Sequence, residues 1–328
     1  MNMRDVILAS PEQITHSIEV NKNVKVEGDF DSIIIAGLGG SGHPGDLLNA
    51  LHLPSIPLTV HRNYGLPPSN SQNPLVIASS YSGNTEETIS AFNTAKERGY
   101  TCMVNTAGGK LEEFAKEQNL AMSKIDYPGM QPRHTLFASF MGIATALANS
   151  GYSADISEDA TRVAKILEEK IPTLEAPAKE LAKKLKGKTP IFTASSTLGF
   201  VAKNFKIQTN ENAKTPAFWN EFPELNHNEM IGMTQPQAKF HTLILRDAEE
   251  HPRINVRMDV TKELYEKWGV EVSEFQIVGD TLLEKMMYGL SFGLWTTYFL
   301  AEEYGIDPVP VGSVEEFKQK LEEKAGKI

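Results

Sequence analysis

Cysteine is nearly absent from this chain of 328 residues, which contains Cys102 alone. A single thiol cannot form an intramolecular disulfide, and it cannot supply a metal site built from several cysteines. Chains without disulfides are typical of the reducing cytosol, because cross-links persist mainly in oxidising compartments. We therefore expect a cytoplasmic protein.

An excess of positive charge is also missing. Lys and Arg total 32 against 42 Asp and Glu, so the formal net charge is −10. A general nucleic-acid binder needs a basic surface that releases counterions, and this balance argues against one. It does not argue against a small anionic ligand, because a pocket can be locally positive inside an acidic protein.

Long hydrophobic runs are missing as well. The most apolar segment, residues 286–301, is interrupted by Ser, Thr and Gly. It is also shorter than the ~20 residues that a membrane helix needs, so it predicts a core helix or a subunit-interface helix. Residues 1–17 lack the apolar core of a signal peptide. We expect neither membrane insertion nor secretion.

The chain does contain a regular alternation of β-branched runs with amphipathic segments. At ~150 residues per domain its length suits about two domains. Strands that alternate with helices specify a parallel sheet covered by helices on both faces. We predict an α/β protein with two doubly wound αβα sandwich domains, residues 1–152 and 153–328, and a charged helical stretch at 157–188. The segments predicted to contain strands are 31–40, 74–84, 100–109, 119–127, 189–196, 240–247 and 269–278.

A glycine-rich turn, GLGGSG at 37–42, follows the first predicted strand and precedes a helix. Backbone N–H groups at such a turn, together with the helix dipole, favour an anion. The turn lacks the spacing of a dinucleotide-binding GxGxxG motif and the lysine of a phosphate-binding P-loop. Taken alone, it is better explained as a tight turn that needs glycine for a positive φ.

A second turn, SSYSGNT at 79–85, follows the next long apolar strand and has four hydroxyl side chains besides tyrosine. One helix N-cap needs only one of them. Hydroxyls and free amides form an uncharged cradle for an anion, which suits a phosphate monoester better than a polyphosphate with its Mg²⁺. Two such turns at the carboxyl ends of neighbouring parallel strands would form one ligand crevice.

These two turns resemble the sugar isomerase (SIS) domain, which binds phosphosugars. The segments NENAKTPAFWNEFPELNHNEM at 210–230 and GIDPVPVGSVEEFKQKL at 305–321 are more specific. They resemble the bifunctional phosphoglucose/phosphomannose isomerase family, and the likeness extends from about residue 31 to 321. It implies two SIS-type domains and an intramolecular oxidoreductase that interconverts glucose 6-phosphate or mannose 6-phosphate with fructose 6-phosphate.

The resemblance also implies a metal-independent proton transfer through a cis-enediol, with no cofactor. Glu211 is similar to the family's general base, and a partly buried carboxylate with a raised pKa suits that role. Without the resemblance, Glu211 could equally cap a helix or pair with Lys214. His227 is similar to the ring-opening acid and base, since histidine titrates near neutrality. In this family that histidine comes from the partner subunit, so we expect a homodimer with shared active sites.

Two cations complete the implied catalytic set. Lys318 matches the lysine that assists ring opening, although surface lysines at helical spacing are usually only solvated. Arg133 resembles the arginine beside the enediolate, which it can stabilise because it is always charged. Its alternative role is a structural ion pair.

The resemblance assigns the phosphate and the sugar to the two turns. One departure is His43, which stands where small or aliphatic residues are usual, and which either reaches the pocket or caps the helix. In the C-terminal helix we predict Ser313 as the N-cap, with a glutamate at the third helical position. The implied phosphate- and sugar-binding residues are Gly39, Gly40, Ser41, Ser80, Ser82 and Thr85.

Two other functions fit the turns. A non-catalytic phosphosugar sensor would keep the anion-binding turns and lose turnover, but the presence of Glu211, His227 and Lys318 argues against it. An SIS isomerase that acts on an amino-sugar phosphate would keep both turns and the catalytic set. Competition by glucosamine 6-phosphate would distinguish that enzyme.

Overall fold

The computed structural model describes residues 2–326, which form two compact units. Unit 1 is Ala9–Ile166, and unit 2 is Asn2–Leu8 together with the chain from Leu167 onward. The limit between them falls inside one helix, Ser157–Thr173, whereas the predicted domain boundary after residue 152 lies in the loop before that helix.

The first twelve helices and strands of the chain extend from the N-terminus to this limit. In chain order they are α1 (Met3–Leu8), α2 (Ser10–Asn21), β1 (Ser32–Ala36), α3 (His43–Ala50), β2 (Leu58–His61), β3 (Pro74–Ser79), α4 (Glu86–Glu97), β4 (Thr101–Thr106), α5 (Gly109–Glu117), β5 (Met122–Lys124), α6 (Leu136–Asn149) and α7 (Ser157–Thr173).

The strands of unit 1 form a parallel sheet in the order β2-β1-β3-β4-β5. Side chains alternate across a strand, so neighbouring isoleucines of β1 face opposite sides. Ile34 packs in the core formed with α4 and α5. Ile35 lies on the other face, where its Cδ1 would be 3.2 Å from a methyl group added at Gly45 of α3. Helices therefore cover both faces.

Unit 2 repeats this plan around a second, smaller sheet. Its remaining elements are α8 (Glu175–Leu185), β6 (Thr189–Ser195), α9 (Gly199–Asn212), β7 (Phe218–Phe222), α10 (Glu229–Gly232), β8 (Phe240–Asp247), α11 (Pro252–Lys267), β9 (Glu271–Ile277), α12 (Leu282–Tyr304) and α13 (Gly312–Ala325).

The second sheet is parallel and has the order β7-β6-β8-β9. On one face of β6, Phe192 packs against Phe205 of α9, with ring centroids 5.1 Å apart. On the other face, Ile191 shares a core with Tyr265 of α11. The predicted α/β class, with two doubly wound parallel-sheet domains, is confirmed.

The apolar segment 286–301 lies in α12 and is a core helix, as one of its two interpretations predicted. Most of its side chains are buried inside unit 2, including Trp295, whose Nε1 donates to the carbonyl of Ile171 at 3.0 Å. The subunit-interface interpretation of this segment is wrong, because its apolar faces are already covered by the same chain.

One predicted helix detail is wrong. Helix α13 begins at Gly312 with Val311 as its N-cap, so Ser313 lies within the first turn and cannot cap it. The charged stretch 157–188 is helical over most of its length, as predicted, and consists of α7 and α8, which are separated at Leu174.

Candidate active site

The connections of the unit 1 sheet create an opening between β1 and β3. The chain leaves β1 for β2 on one side and leaves β3 for β4 on the other, so the sheet order reverses between these two strands. Ligands of open α/β sheets bind at such a switch point, outside the carboxyl ends of the strands. Both hydroxyl- and glycine-rich turns follow these two strands.

The turn after β1 is held directly against the turn after β3. Gly39–Ser41 forms a single 3-10 turn, and Gly39 has a φ of +51°, which glycine adopts at little cost. The Oγ of Ser41 accepts a hydrogen bond from the Tyr81 N–H at 3.0 Å. The Oγ of Ser79 donates to the Ser41 carbonyl at 2.7 Å. The two turns therefore form one surface.

The turn after β3 gathers its hydroxyls around Ser80. The Ser80 Oγ lies 2.9 Å from the Thr85 Oγ1 and 3.4 Å from the Ser82 Oγ, and it accepts the Gly83 N–H at 3.1 Å. Thr85 is the N-cap of α4, but its side chain makes no capping hydrogen bond. The hydroxyls thus point to one another rather than serving the helix end. We call Ser41, Ser80, Ser82 and Thr85 the hydroxyl cradle.

Tyr81 anchors the cradle, a role that the sequence analysis missed. Its hydroxyl donates to the Tyr127 carbonyl at 2.7 Å and accepts the Met130 N–H at 2.9 Å. Burial raises the pKa of the Tyr81 hydroxyl above its usual value, so it stays neutral near pH 7. These partners lie more than forty positions away in the chain, and no local pattern signals them.

Arg133 lies beside the cradle, in a short 3-10 turn formed by Pro132–His134. The backbones approach so closely that a methyl group added at Gly40 would lie 2.8 Å from the Arg133 main-chain nitrogen. Arg133 is buried, and its Nη1 donates to the Gln131 Oε1 at 3.4 Å. The structure therefore brings Gly39, Gly40, the cradle and Arg133 together.

His43 is the first residue of α3 and is buried in unit 1. The N-cap of α3 is Gly42, so the interpretation of His43 as a helix cap is wrong.

Glu211 and His227 lie at opposite edges of the unit 2 sheet. Helix α9 starts at the carboxyl edge, because Gly199 lies against the Glu221 carboxylate near the end of β7. Its 14 residues extend about 21 Å at 1.5 Å per residue. The partly buried Glu211 is its penultimate residue and is therefore at the amino edge, whereas the exposed His227 follows β7 at the carboxyl edge.

The amino edge also holds the start of the C-terminal segment. The hydroxyl of Tyr304, at the end of α12, accepts a hydrogen bond from the N–H of Gly187, which lies just before β6. The Lys214 ammonium contacts the carbonyls of Glu211 and Pro308 at 2.9 and 3.1 Å. Lys214 thus binds the main chain at Glu211. Lys318 is exposed on α13 and pairs with Glu315 of the same helix at 3.3 Å.

The switch point of unit 2 lies between β6 and β8. Charged side chains of unit 2 occupy this opening. Asp247 ends β8, and both of its carboxylate oxygens accept from the buried Lys285 Nζ at 2.9 Å. The same ammonium donates to Glu249 at 2.6 Å. The Glu221 carboxylate lies against Gly199, the first residue of α9, and burial raises the pKa of that carboxyl group. Carboxylates at this edge disfavour a second phosphate.

Within residues 2–326, no three His, Cys, Asp or Glu side chains are grouped so that they could hold a metal ion. None of the helices in that range has the length and apolar character needed to cross a membrane.

Comparison with known proteins gives three kinds of similarity. Residues 174–321 match the family model of the bacterial phospho-glucose isomerase C-terminal SIS domain. A bifunctional phosphoglucose/phosphomannose isomerase of Caldicellulosiruptor bescii is 37% identical over 95% of this chain and 97% of its own length. A D-glucosamine-6-phosphate 4-epimerase of Sulfolobus acidocaldarius is 34% identical over 61% of this chain and 63% of its own. A hypothetical protein of Thermus thermophilus shares the fold, with a TM-score of 0.73, 16% identity, and coverage of 97% of this chain and 89% of that one.

Proposed function

The chain belongs to the bifunctional phosphoglucose/phosphomannose isomerase family, and we propose that it interconverts glucose 6-phosphate and mannose 6-phosphate with fructose 6-phosphate. The two aldose phosphates are epimers at C2. Removal of the C2 proton abolishes the difference between them, so one enediol and one base serve both substrates.

The hydroxyl cradle is the observation that carries the substrate class. Its four hydroxyl side chains lie at a sheet switch point, next to a glycine at positive φ and to the buried residue Arg133. Neutral donors and one cation suit the anionic end of a sugar phosphate without a metal ion. Arg133 also supplies the fixed positive charge that a developing enediolate requires.

In this proposal Glu211 is the base. Its carboxylate removes the proton from C2 of the open-chain aldose and returns it to C1, while the hydroxyl proton passes from O2 to O1, which leaves the ketose. The observation that supports the role is its partly buried position in the last turn of α9. Lys318 and His227 open the sugar ring before this step.

The partner subunit's His227 would act with Glu211 of the first chain. The support is that α9, which is about 21 Å long at 1.5 Å per residue, carries Glu211 at the amino edge of the sheet, whereas His227 of the same chain follows β7 at the carboxyl edge. Proton transfers need groups within about 3 Å of the reacting atoms, or one water further away. A homodimer with shared active sites brings the two residues together where a single chain does not.

The decisive experiment replaces Glu211 by glutamine in a coupled assay for fructose 6-phosphate, run with a chelator present. We expect kcat to fall by on the order of 10²- to 10⁴-fold for both aldose phosphates, with KM little changed, because a base is lost. The matched control is Glu266→Gln, which changes an exposed glutamate in the same penultimate position of α11. Near-normal turnover by Glu211→Gln would show that another group is the base.

A second candidate is the epimerisation of glucosamine 6-phosphate at C4. The observation that favours it is the 34% identity to the epimerase over 204 residues of the alignment. Incubation with glucosamine 6-phosphate, followed by separation of the two epimers, tests it directly. Formation of the 4-epimer at a rate comparable to hexose phosphate isomerisation would make this the principal activity.

A further inference from the structure

Lys214 connects two segments that are far apart in sequence. Its Nζ donates to the carbonyls of Glu211 at 2.9 Å and Asn212 at 3.3 Å, which end α9. It also donates to the carbonyls of Asp307 at 3.0 Å and Pro308 at 3.1 Å, which precede α13. Three ammonium protons are therefore shared among four main-chain acceptors.

Lys214 makes these contacts from an unusual backbone conformation. Its φ is +51°, in the left-handed region that residues other than glycine and asparagine rarely adopt. The last carbonyls of a helix have no partner within the helix, and lysines near the C-terminus often bind them. The additional contacts to Asp307 and Pro308 are not part of helix capping, and they need an explanation of their own.

The explanation lies in α13. None of its described residues is buried, so packing does little to fix where the helix lies. The ion pair of Lys318 is with Glu315 on the same helix and does not hold α13 to the unit. The Lys214 ammonium binds the chain just before α13. The same nitrogen atom binds the last turn of α9, which carries Glu211.

We propose that Lys214 is a positioning residue that holds the start of α13, and hence Lys318, at a fixed distance from Glu211. The inference rests on the proposed isomerase function for the roles of Glu211 and Lys318. The tether, which is the set of hydrogen bonds from the Lys214 ammonium to main-chain carbonyls, does not depend on those roles.

The test compares Lys214→Gly with Lys214→Arg in the full-length protein. Glycine suits a φ of +51° and removes the ammonium, whereas arginine keeps a cation with several donors. The matched control is His52→Gly, which changes another residue at positive φ, after α3 of unit 1. Hydrogen exchange of residues 305–325 reports the tether, exchange in β6 and β8 reports the folding of unit 2, and steady-state kinetics report catalysis.

With Lys214→Gly we expect amide exchange in 305–325 at least ~10-fold faster, unchanged exchange in β6 and β8, and recovery in Lys214→Arg. We expect kcat to fall ~10- to 100-fold at nearly constant KM, because a displaced ring-opening group slows chemistry but does not release the phosphate. Lys214→Gly should add little to the loss caused by Lys318→Ala, since both act through one group.

Three results would overturn the proposal: unchanged exchange in 305–325, an effect on KM alone, or losses that add in the double variant. If the unmodified protein turns over neither hexose phosphate, the isomerase assignment is wrong, and the exchange measurement still decides whether Lys214 is the tether.

Discussion

Glu229 is a half-buried residue of unit 2, two positions after His227. One of its oxygens accepts the Asn220 Nδ2 at 3.0 Å, and the other is buried without a hydrogen-bond partner among the described residues. Burial raises the pKa of the Glu229 carboxyl, and the bond from Asn220 offsets part of that effect. The folded state therefore binds this proton more tightly than the unfolded chain does.

A raised folded-state pKa fixes the sign of the pH dependence. The acid stabilises the fold fully below its unfolded pKa, and this stability is lost as the pH rises through the folded pKa. We expect Glu229→Gln to match the unmodified protein at about pH 4 and to unfold at a higher urea concentration at about pH 8. The control is Glu263→Gln, an exposed carboxyl on α11. A stability difference that does not change with pH would contradict this prediction.

Residues differ in how visible their roles are in the sequence. Most of the cradle was predictable, because four serine and threonine hydroxyls occur within the seven residues 79–85. Glu211, His227 and Lys318 were selected by family resemblance, and their roles stay predictions. The function of Lys214 was not predictable, because its carbonyl acceptors lie up to 94 positions away and carbonyls leave no mark in the sequence.

Among the elements, the 3-10 turn of Gly39–Ser41 lies closely against that of Pro132–His134. Gly40 has no strained φ, so its importance lies in space rather than in conformation. A methyl group there would meet the Arg133 nitrogen at 2.8 Å and the Pro132 carbonyl carbon at 2.9 Å. Both are backbone atoms, which cannot rotate aside.

We therefore expect Gly40→Ala to push the Arg133 turn away from the cradle. Turnover of fructose 6-phosphate should fall ~10- to 100-fold, since small displacements at a reacting centre are costly. The melting temperature should fall by only a few degrees, at about 1–3 kcal/mol for overpacking. Gly232→Ala is the control, because nothing lies within 4 Å of its added methyl group. Full activity in Gly40→Ala would exclude Arg133 from the reaction.

Two strands, β2 and β7, escaped the sequence analysis, and both lie at an edge of their sheet. No side chain of β2 is fully buried, and β7 has the polar pair Asn220 and Glu221 near its centre. An edge strand needs few apolar side chains, so its sequence can resemble a loop. The central strands β3, β6 and β8 are mostly buried, and their apolar runs made them predictable.

For the whole molecule, the proposed sharing of active sites between two subunits gives a sharp prediction. Glu211→Gln and His227→Asn each remove one half of the proposed acid–base set, and each variant alone should be nearly inactive. Mixing the two and allowing subunits to exchange should restore about a quarter of normal activity, because half of the dimers are mixed and each has one intact site.

The control for this experiment is a chain that carries both substitutions. Mixed with Glu211→Gln, it cannot form an intact site in the proposed arrangement, and activity should stay low. Activity in a purified monomer, or no recovery in the mixture despite subunit exchange, would contradict the shared site.

The two sheets have the same strand order around their switch points, yet they differ in chemistry there. Unit 1 presents hydroxyls and glycine, whereas unit 2 presents the Asp247–Lys285 pair and the Glu221 carboxylate. The repeated architecture was predictable from the alternation of strands and helices. The difference between the two openings was not, because Lys285 reaches Asp247 from α12, 38 positions further along the chain.

The span of α9 has a kinetic consequence. If one chain holds Glu211 at one end of that helix and must borrow a histidine from a neighbour, then catalysis is a property of pairs. Specific activity would then decline on dilution, and below the dissociation constant of the pair the observed rate would vary with the square of enzyme concentration. An enzyme of this design would lose its activity whenever its concentration fell well below that dissociation constant.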